Sequence, residues 1–321
     1  MQLYQQKLTP LTESGLLAAL SVVLAFAAVY LPVIGIVATL IWPLPVLVLV
    51  VRHGLRWGVM GVLTAGVLMA LVLEPMLAVR MVLSFGFTGL ALGWGFRKDW
   101  SGAKIFGIGL LFSVIGKLGT IGLLFFVTGI DPLDAQLDAL NETFDQTFSL
   151  YATIGIPAAE LEQSREQIQQ GMKFVTLLIP LVVLFMGLFD TTISYLLGGK
   201  VLRRLGHDVR TMPPFSEWRL PRFFVYLFGF ALVGIYWGGS RQIDWLYKLS
   251  MNLEILAICA GFVQGLSLLS YLMKHYKLAG FWRFMIYVIV LFSGFLLQLV
   301  AFSGLVDIVF DYRRRFERRP R

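Results

Sequence analysis

The sequence predicts an all-α membrane protein with eight or nine transmembrane helices. Hydrophobic residues make up 58% of its 321 residues and charged residues only 14%, whereas charged residues normally supply about a quarter of a soluble domain. The apolar residues form runs long enough to cross the hydrocarbon core, which takes about 20 residues of helix. Lysine and arginine lie mostly between these runs, so the net charge of +8 indicates membrane topology rather than binding to nucleic acid. Soluble enzyme folds are excluded.

Nine apolar segments follow one another along the chain, and each is a candidate span. They cover approximately residues 14–31, 33–51, 57–73, 76–96, 105–129, 172–198, 222–239, 248–273 and 283–309. In the first segment, Ala25-Phe26-Ala27 resembles the cleavage site of a secretory signal. More spans follow immediately, so we predict that this helix is retained. Most tryptophans fall close to predicted span ends, as in interfacial belts, and only Trp42 lies in mid-span.

The distribution of basic residues predicts a cytoplasmic N-terminus for a protein of the bacterial cytoplasmic membrane. Every second connection is rich in lysine and arginine, and these connections lie near residues 52–56, 97–104, 200–222 and 274–283. The ninth segment leaves two alternatives open. If it crosses the membrane, the basic tail 311–321 lies outside; if it is re-entrant or turns near Ser303-Gly304, the tail stays inside.

The spans and connections divide the chain into four regions. These are a six-span membrane domain (1–198), a basic cytoplasmic linker (199–221), three further membrane segments (222–310) and a basic tail (311–321). Within the first region, residues 131–170 carry eight acidic residues and one arginine, and they predict an extracytoplasmic cap. Apolar residues at three- and four-residue steps predict two short helices with a break at 153–157. These helices are expected to cover the outer mouth of the bundle as a lid; a solvated cap is the alternative.

The sequence lacks the common patterns of catalytic and nucleotide-binding sites. No Walker A, G-x-S-x-G, H-E-x-x-H or G-x-G-x-x-G pattern occurs. The histidines, His53, His207 and His275, fall in predicted cytoplasmic connections without metal-ligand spacing, and we interpret them as solvated loop residues. The single cysteine, Cys259, allows no intrachain disulfide. We therefore expect neither an enzyme nor an ATPase, and no metal or cofactor.

Four charged residues in or at the ends of predicted spans are the candidate substrate-binding residues, because a charge inside the bilayer is costly and marks function by default. Arg80 lies in the fourth span, Lys117 near the middle of the fifth, Glu74 at the outer end of the third and Asp190 in the sixth. The two cations could hold an anionic or zwitterionic ligand. A purely structural interpretation stays open, in which Arg80 pairs with Glu74, and Lys117 either snorkels or pairs with Asp190. Straight helices would place Lys117 and Asp190 about 10 Å apart in depth.

Small residues and prolines recur inside the spans. Glycines four residues apart, and the pairs Ser14/Ala18 and Ser21/Ala25, predict close packing of helix backbones. Three prolines remove backbone donors inside spans, namely Pro43, Pro45 and Pro180. Each can mark a helix kink beside a pocket or a helix irregularity without function, and the sequence favours neither interpretation.

Several of these segments resemble known families. The stretches 17–21, 52–61 and 63–66, together with the proline-rich second span, are similar to the substrate-binding subunits of energy-coupling-factor transporters over roughly residues 10–198. The whole chain, with Asp307-x-x-x-Asp311-Tyr-Arg-Arg-Arg near its end, resembles the YybS-like family of predicted bacterial membrane proteins. The first resemblance implies a six-helix substrate-binding bundle that receives energy from a separate ATPase.

One position departs from the transporter pattern. Those subunits dock their partner through alanines four residues apart on the first helix, whereas here Val22 follows Ala18 and Val23 follows Ala19. The leading hypothesis is a protein that binds a small anionic or zwitterionic metabolite and helps to transport it, with lipids and a coupling membrane protein as partners. The alternative is a non-catalytic membrane scaffold of the cell envelope.

Overall fold

A computed structural model describes residues 9–210 and 212–317, and in that part of the chain all regular structure is helical. Eight of the described helical segments are long and apolar enough to cross a membrane, and a further pair of helices is bent by 103°. The predicted all-α polytopic fold is therefore confirmed. Residues 1–8 of the six-span region and 318–321 of the basic tail lie outside the described residues.

The helices fall into two contact units. Unit 1 contains the described residues up to Lys173 together with Val182–Met212, and unit 2 contains Phe174–Leu181 and the residues from Pro213 onwards. The first helices are α1 (Pro10–Tyr30), α2 (Pro32–Ile41), α3 (Pro43–His53), α4 (Leu55–Val72), α5 (Pro75–Met81), α6 (Phe87–Arg97), α7 (Gly102–Thr128), α8 (Pro132–Thr153), α9 (Ala158–Leu177) and α10 (Ile179–Arg204). They are followed by α11 (Phe223–Ser240), α12 (Asp244–His275), α13 (Gly280–Phe292), α14 (Gly294–Phe310) and α15 (Tyr312–Glu317).

Proline sets several helix starts in unit 1. Helices α1, α2, α3 and α5 each begin with proline, whose missing N–H costs nothing at a first helical position. Pro43 splits the second predicted span into α2 and α3. Trp42, between the two helices, is fully buried and donates its indole N–H to the Ser21 carbonyl at 2.9 Å. This hydrogen bond gives the mid-span tryptophan a polar partner away from the membrane interface.

Small residues bring the helices of unit 1 into close contact. Ser14, Ala18, Ser21 and Ala25 of α1 are all buried inside the unit, so this stripe packs against neighbouring helices. On α6, a Cβ at Gly89 would lie 2.8 Å from the Pro43 carbonyl oxygen. The predicted packing role of these residues is confirmed.

An ion cluster links the start of α1 to the end of α3. Glu13 is 4% exposed, and its two carboxylate oxygens bind Arg52 and His53 separately. The His53 Nε2 atom lies 2.6 Å from Glu13 Oε2, and the imidazole is largely covered. The interpretation of His53 as a solvated loop residue is therefore wrong, because α1 brings a carboxylate to the end of α3 where the sequence shows only a short connection.

Unit 2 is built around the contact of α12 with α14. A Cβ at Gly304 of α14 would run into the carbonyl oxygen of Gly261 on α12, and a Cβ at Gly265 would run into the Val300 carbonyl. The two backbones therefore touch. The bend between α13 and α14 lies at Ser293, whose hydroxyl accepts from the Leu296 N–H at 3.4 Å. The bend does not lie near Ser303-Gly304, where one alternative from the sequence analysis placed a turn. Gly304 instead packs against Gly261 of α12.

We expect Gly304→Ala to destabilise unit 2, because the added methyl group must push α14 away from α12. Overpacking of this kind typically costs about 1–3 kcal/mol. Gly294→Ala, on the same helix, is the matched control because its Cβ would meet open space. The thermal unfolding midpoint of the purified protein in detergent measures the difference. Equal midpoints for the two variants would contradict the close contact.

The C-terminal segment is anchored inside unit 2 by Arg313, which is 1% exposed. Its guanidinium donates to the Ser216 carbonyl at 2.7 Å and to the Ser267 hydroxyl at 3.0 Å. Ser267 lies near the C-terminal end of α12, after which α13 begins. The bent pair α13–α14 therefore starts and finishes at the same end of α12. This arrangement favours the re-entrant alternative for the ninth apolar segment.

Candidate functional site

A cavity of about 630 Å³ lies within unit 1, between α1, α2, α5, α7, α10 and a π-helical segment, Val82–Gly86, that joins α5 to α6. This volume is in the range of small-molecule sites. All four residues singled out from the sequence, Glu74, Arg80, Lys117 and Asp190, line it. The structure thus brings together charges that are up to 116 positions apart in the chain. Their role in binding stays a prediction.

Glu74 and Arg80 both come from the start of the fourth span. Glu74 is the N-cap of α5, which begins at Pro75, and Arg80 follows about 9 Å further along the helix axis. Both side chains are exposed. Neither forms an ion pair with another residue that the structure describes, so the alternative of an internal Glu74–Arg80 pair is not observed. The cavity therefore carries two opposite charges that have no ion-pair partner among the described residues.

The π-helical segment forms part of the wall directly after Arg80. π-helical turns are rare and are found frequently at functional sites. Ser84 and Phe85 of this segment line the cavity, and the Ser84 carbonyl accepts from the Thr88 hydroxyl at 3.2 Å. A Cβ at Gly116 would run into the Leu83 carbonyl oxygen. The absence of a side chain at this position lets α7 touch the irregular backbone and places Lys117 beside it.

Lys117 and Asp190 form a buried ion pair in the wall of the cavity. Each residue is 8% exposed. The Lys117 ammonium also donates to the Ser113 hydroxyl at 3.2 Å and lies 5.3 Å from the centre of the Phe85 ring. These contacts satisfy the ammonium with groups of the protein, as a buried charge requires. Of the two structural alternatives that the sequence leaves open for Lys117, the structure shows the pair with Asp190 and not a snorkelling side chain.

Two hydroxyl groups that the sequence analysis missed connect the walls. Ser84 Oγ lies 3.1 Å from Thr120 Oγ1, and Thr120 donates to the Gly116 carbonyl at 2.9 Å. Both residues line the cavity. Their spacing in the sequence could have identified them. Ser84 is four residues after Arg80 and Thr120 is three residues after Lys117, and residues three or four apart share one face of a helix.

The acidic segment 131–170 forms a helical hairpin of α8 and α9, with the break at 154–157 where the sequence predicts it. Arg165 of α9 binds Asp145 of α8 at 2.8 Å and lies over the Phe148 ring. None of the residues that line the cavity belongs to this hairpin, so its use as a lid stays a prediction. The described residues contain no group of three potential metal ligands.

The comparison with known proteins decides the family. The pattern of the family described as "Predicted membrane protein (DUF2232)" matches residues 19–308, which is most of the chain. The chain belongs to the DUF2232 family. This DUF2232 protein is 24% identical over 318 residues to the "Uncharacterized protein YybS" of Bacillus subtilis strain 168, with 95% of the chain and 97% of the relative covered.

The resemblance of this DUF2232 protein to the YybS-like family is thereby confirmed. The resemblance of its first six spans to energy-coupling-factor subunits stays a prediction. No solved structure matches the chain.

Proposed function

We propose that this DUF2232 protein binds a small anionic or zwitterionic metabolite in the cavity of unit 1 and helps to move it across the bacterial cytoplasmic membrane. One observation carries the proposal: the fourth, fifth and sixth spans, together with the residue that caps the fourth, contribute two cationic and two anionic side chains to the wall of a single cavity. Intramembrane charges are costly and mark ligand pathways in membrane proteins. In this proposal Arg80 binds the anionic group of the ligand, and the N-terminus of the chain faces the cytoplasm.

The protein acts in this proposal without catalysing a reaction and without an ATPase of its own. Energy would come from an ion gradient or from a separate coupling protein. The stripe of small residues on α1 does not support docking of such a protein, because Ser14, Ala18, Ser21 and Ala25 are all buried within unit 1. A coupling partner would have to bind another surface.

A scaffold function is the second candidate, and the α8–α9 hairpin is the observation that favours it. The hairpin is strongly acidic, and Leu150, Tyr151 and Ile154 are exposed around its turn. Exposed apolar side chains in a polar segment are typical of protein interaction sites. In this reading the partner binds the hairpin, and the charges in the cavity are structural.

Native mass spectrometry of the gently solubilised protein tests the proposal. The wild-type protein should retain a small molecule, and Arg80→Leu should lose it while keeping its thermal unfolding midpoint, because no described residue forms an ion pair with the removed charge. Arg56→Leu is the matched control, since Arg56 is exposed on α4 and does not line the cavity. An empty cavity in every variant, together with a stable protein partner, would overturn the transport proposal in favour of the scaffold.

A further inference from the structure

We propose that the ligand of this cavity is a zwitterion without net charge, whose anionic group binds Arg80, whose cationic group binds Glu74, and which also has an apolar part. The inference rests on the function proposed above and narrows its ligand class. It follows from which of the four charges are already satisfied by the protein.

The charges on the cavity wall balance. Glu74 and Asp190 oppose Arg80 and Lys117, and no other ionisable side chain lines the cavity among the residues that the structure describes. A ligand with a net charge would leave the site unbalanced. In a region of low dielectric constant, an uncompensated charge is much more costly than in water.

The Lys117–Asp190 pair does not bind the ligand's charged groups. Each residue is 8% exposed, and the ammonium is already in contact with Asp190, Ser113 and the Phe85 ring. A ligand that took one partner would leave the other buried and unpaired, which is strongly unfavourable. The pair is thus part of the wall, and the ligand is left with the other two charges.

Glu74 and Arg80 are suited to bind opposite charges of one molecule. Both are exposed and lack protein ion-pair partners within the described part of the chain. They are separated by about 9 Å of helix rise, a distance that two long side chains can shorten on a small ligand. A pure anion would satisfy Arg80 but meet repulsion from Glu74, and a pure cation would meet the reverse.

The remainder of the wall is largely apolar. Leu77, Met81, Phe85, Ile121 and Met186 face the same space as the charges. Burial of an apolar part of the ligand against them stabilises the complex in proportion to the area removed from water. A zwitterion with a hydrocarbon side chain fits this surface better than a small, fully polar zwitterion.

Two sources can supply this chemistry, namely a free amino-acid-like metabolite and the headgroup of phosphatidylethanolamine. Both carry an anionic group and an ammonium group a few bonds apart, next to an apolar part. The cavity lies among membrane-spanning helices, so both can reach it. The experiment therefore has one arm for each source.

In the first arm, the full-length protein in detergent is titrated with L-leucine and L-phenylalanine, and with their N-acetyl and amide derivatives, at about pH 6, where the amines are protonated. Binding is measured by calorimetry. We expect the amino acids to bind about tenfold or more tightly than derivatives that keep only one charge. In Glu74→Gln, the amino acids should no longer bind more tightly than the N-acetyl compounds, which lack the cationic group. In Arg80→Gln, they should no longer bind more tightly than the amides, which lack the anionic group. Glu162→Gln and Arg56→Gln are exposed controls outside the cavity.

In the second arm, native mass spectrometry compares retention of phosphatidylethanolamine and phosphatidylglycerol by the same variants. Preferential retention of phosphatidylethanolamine that is lost in Glu74→Gln and Arg80→Gln would support the proposal with a lipid as the source. If the N-acetyl compounds bind more tightly than the amino acids, or phosphatidylglycerol more tightly than phosphatidylethanolamine, the proposal of a zwitterionic ligand is wrong. The proposed transport function would not be affected. The absence of any preference for zwitterions in both arms would also contradict the zwitterionic ligand. A small molecule that is retained by the wild-type protein and lost in Arg80→Leu would still support the proposed function.

Discussion

Replacing Lys117 by methionine should lower the thermal unfolding midpoint of the protein sharply. The substitution keeps most of the side-chain volume but leaves Asp190 buried without its cationic partner. Removing one partner of a buried ion pair typically costs about 3–5 kcal/mol. Asp190→Asn should lower the midpoint as well, because it leaves the ammonium without a counter-charge. Unfolding in detergent, followed by tryptophan fluorescence, measures both effects.

The double variant Lys117→Met/Asp190→Leu separates the ion pair from general packing. It removes both charges together, so most of the lost stability should return, since apolar replacements of buried pairs are often neutral or stabilising. Lys200→Met, at an exposed position of α10, is the matched control and should leave the midpoint unchanged. A double variant that is as unstable as the sum of the single variants would show that the two charges do not interact.

The second large effect is expected at Arg313, where substitution by glutamine should destabilise unit 2. The guanidinium binds the Ser216 carbonyl and the Ser267 hydroxyl and lies 3.7 Å from Asp307. Burial lowers the pKa of Arg313 and Asp307 raises it, but an arginine still stays charged in the folded protein. Its loss would leave the buried Asp307 without a cation, at a cost of about 3–5 kcal/mol.

Arg314 offers a direct comparison for Arg313 in the same helix. Its ion pair with Asp311 is exposed, and pairs of that kind contribute about 0–1 kcal/mol. Arg314→Gln should therefore leave proteolytic resistance of unit 2 unchanged, whereas Arg313→Gln should expose the segments around Ser216 to limited proteolysis. Equal resistance of the two variants would contradict an anchoring role for Arg313.

Most spans could be predicted from the sequence because proline, glycine and charged residues bound the apolar runs. The fourth span, for example, is expected at residues 76–96 and observed as Pro75–Arg97. The sixth is one exception, since it is expected from residue 172 but α10 begins at Ile179. Apolar residues such as Phe174 and Val175 belong to the end of α9 instead, and hydropathy alone does not distinguish a membrane helix from the helix that leads into it.

The members of the candidate site were predictable, but their contacts were not. Charged residues inside apolar runs identify Arg80, Lys117 and Asp190 without any structure. Counting residues along straight helices places Lys117 and Asp190 about 10 Å apart in depth, yet they are paired. Helix tilt is determined by packing between helices and cannot be obtained from the length of an apolar run, and a lysine side chain is long enough to shorten the remaining gap. Arg313 was expected only as a charge of the basic tail, and its buried polar network, which connects residues up to 97 positions apart, was not predicted.

The π-helical segment Val82–Gly86 determines the helical phase of the fourth span. A π turn contains more residues than an α turn, so the part of the span before it is rotated relative to an uninterrupted α-helix, in which each residue advances by about 100°. Arg80 lies before this segment and Thr88 after it. In a regular α-helix with the same number of residues, Arg80 would be turned by about that angle relative to the second half of the span. Deleting one residue of the segment would instead restore a regular helix with Arg80 on its present face, because the wide turn absorbs one residue. The wide turn of this short segment, and not only the identity of its side chains, thus sets which wall of the bundle carries the charge.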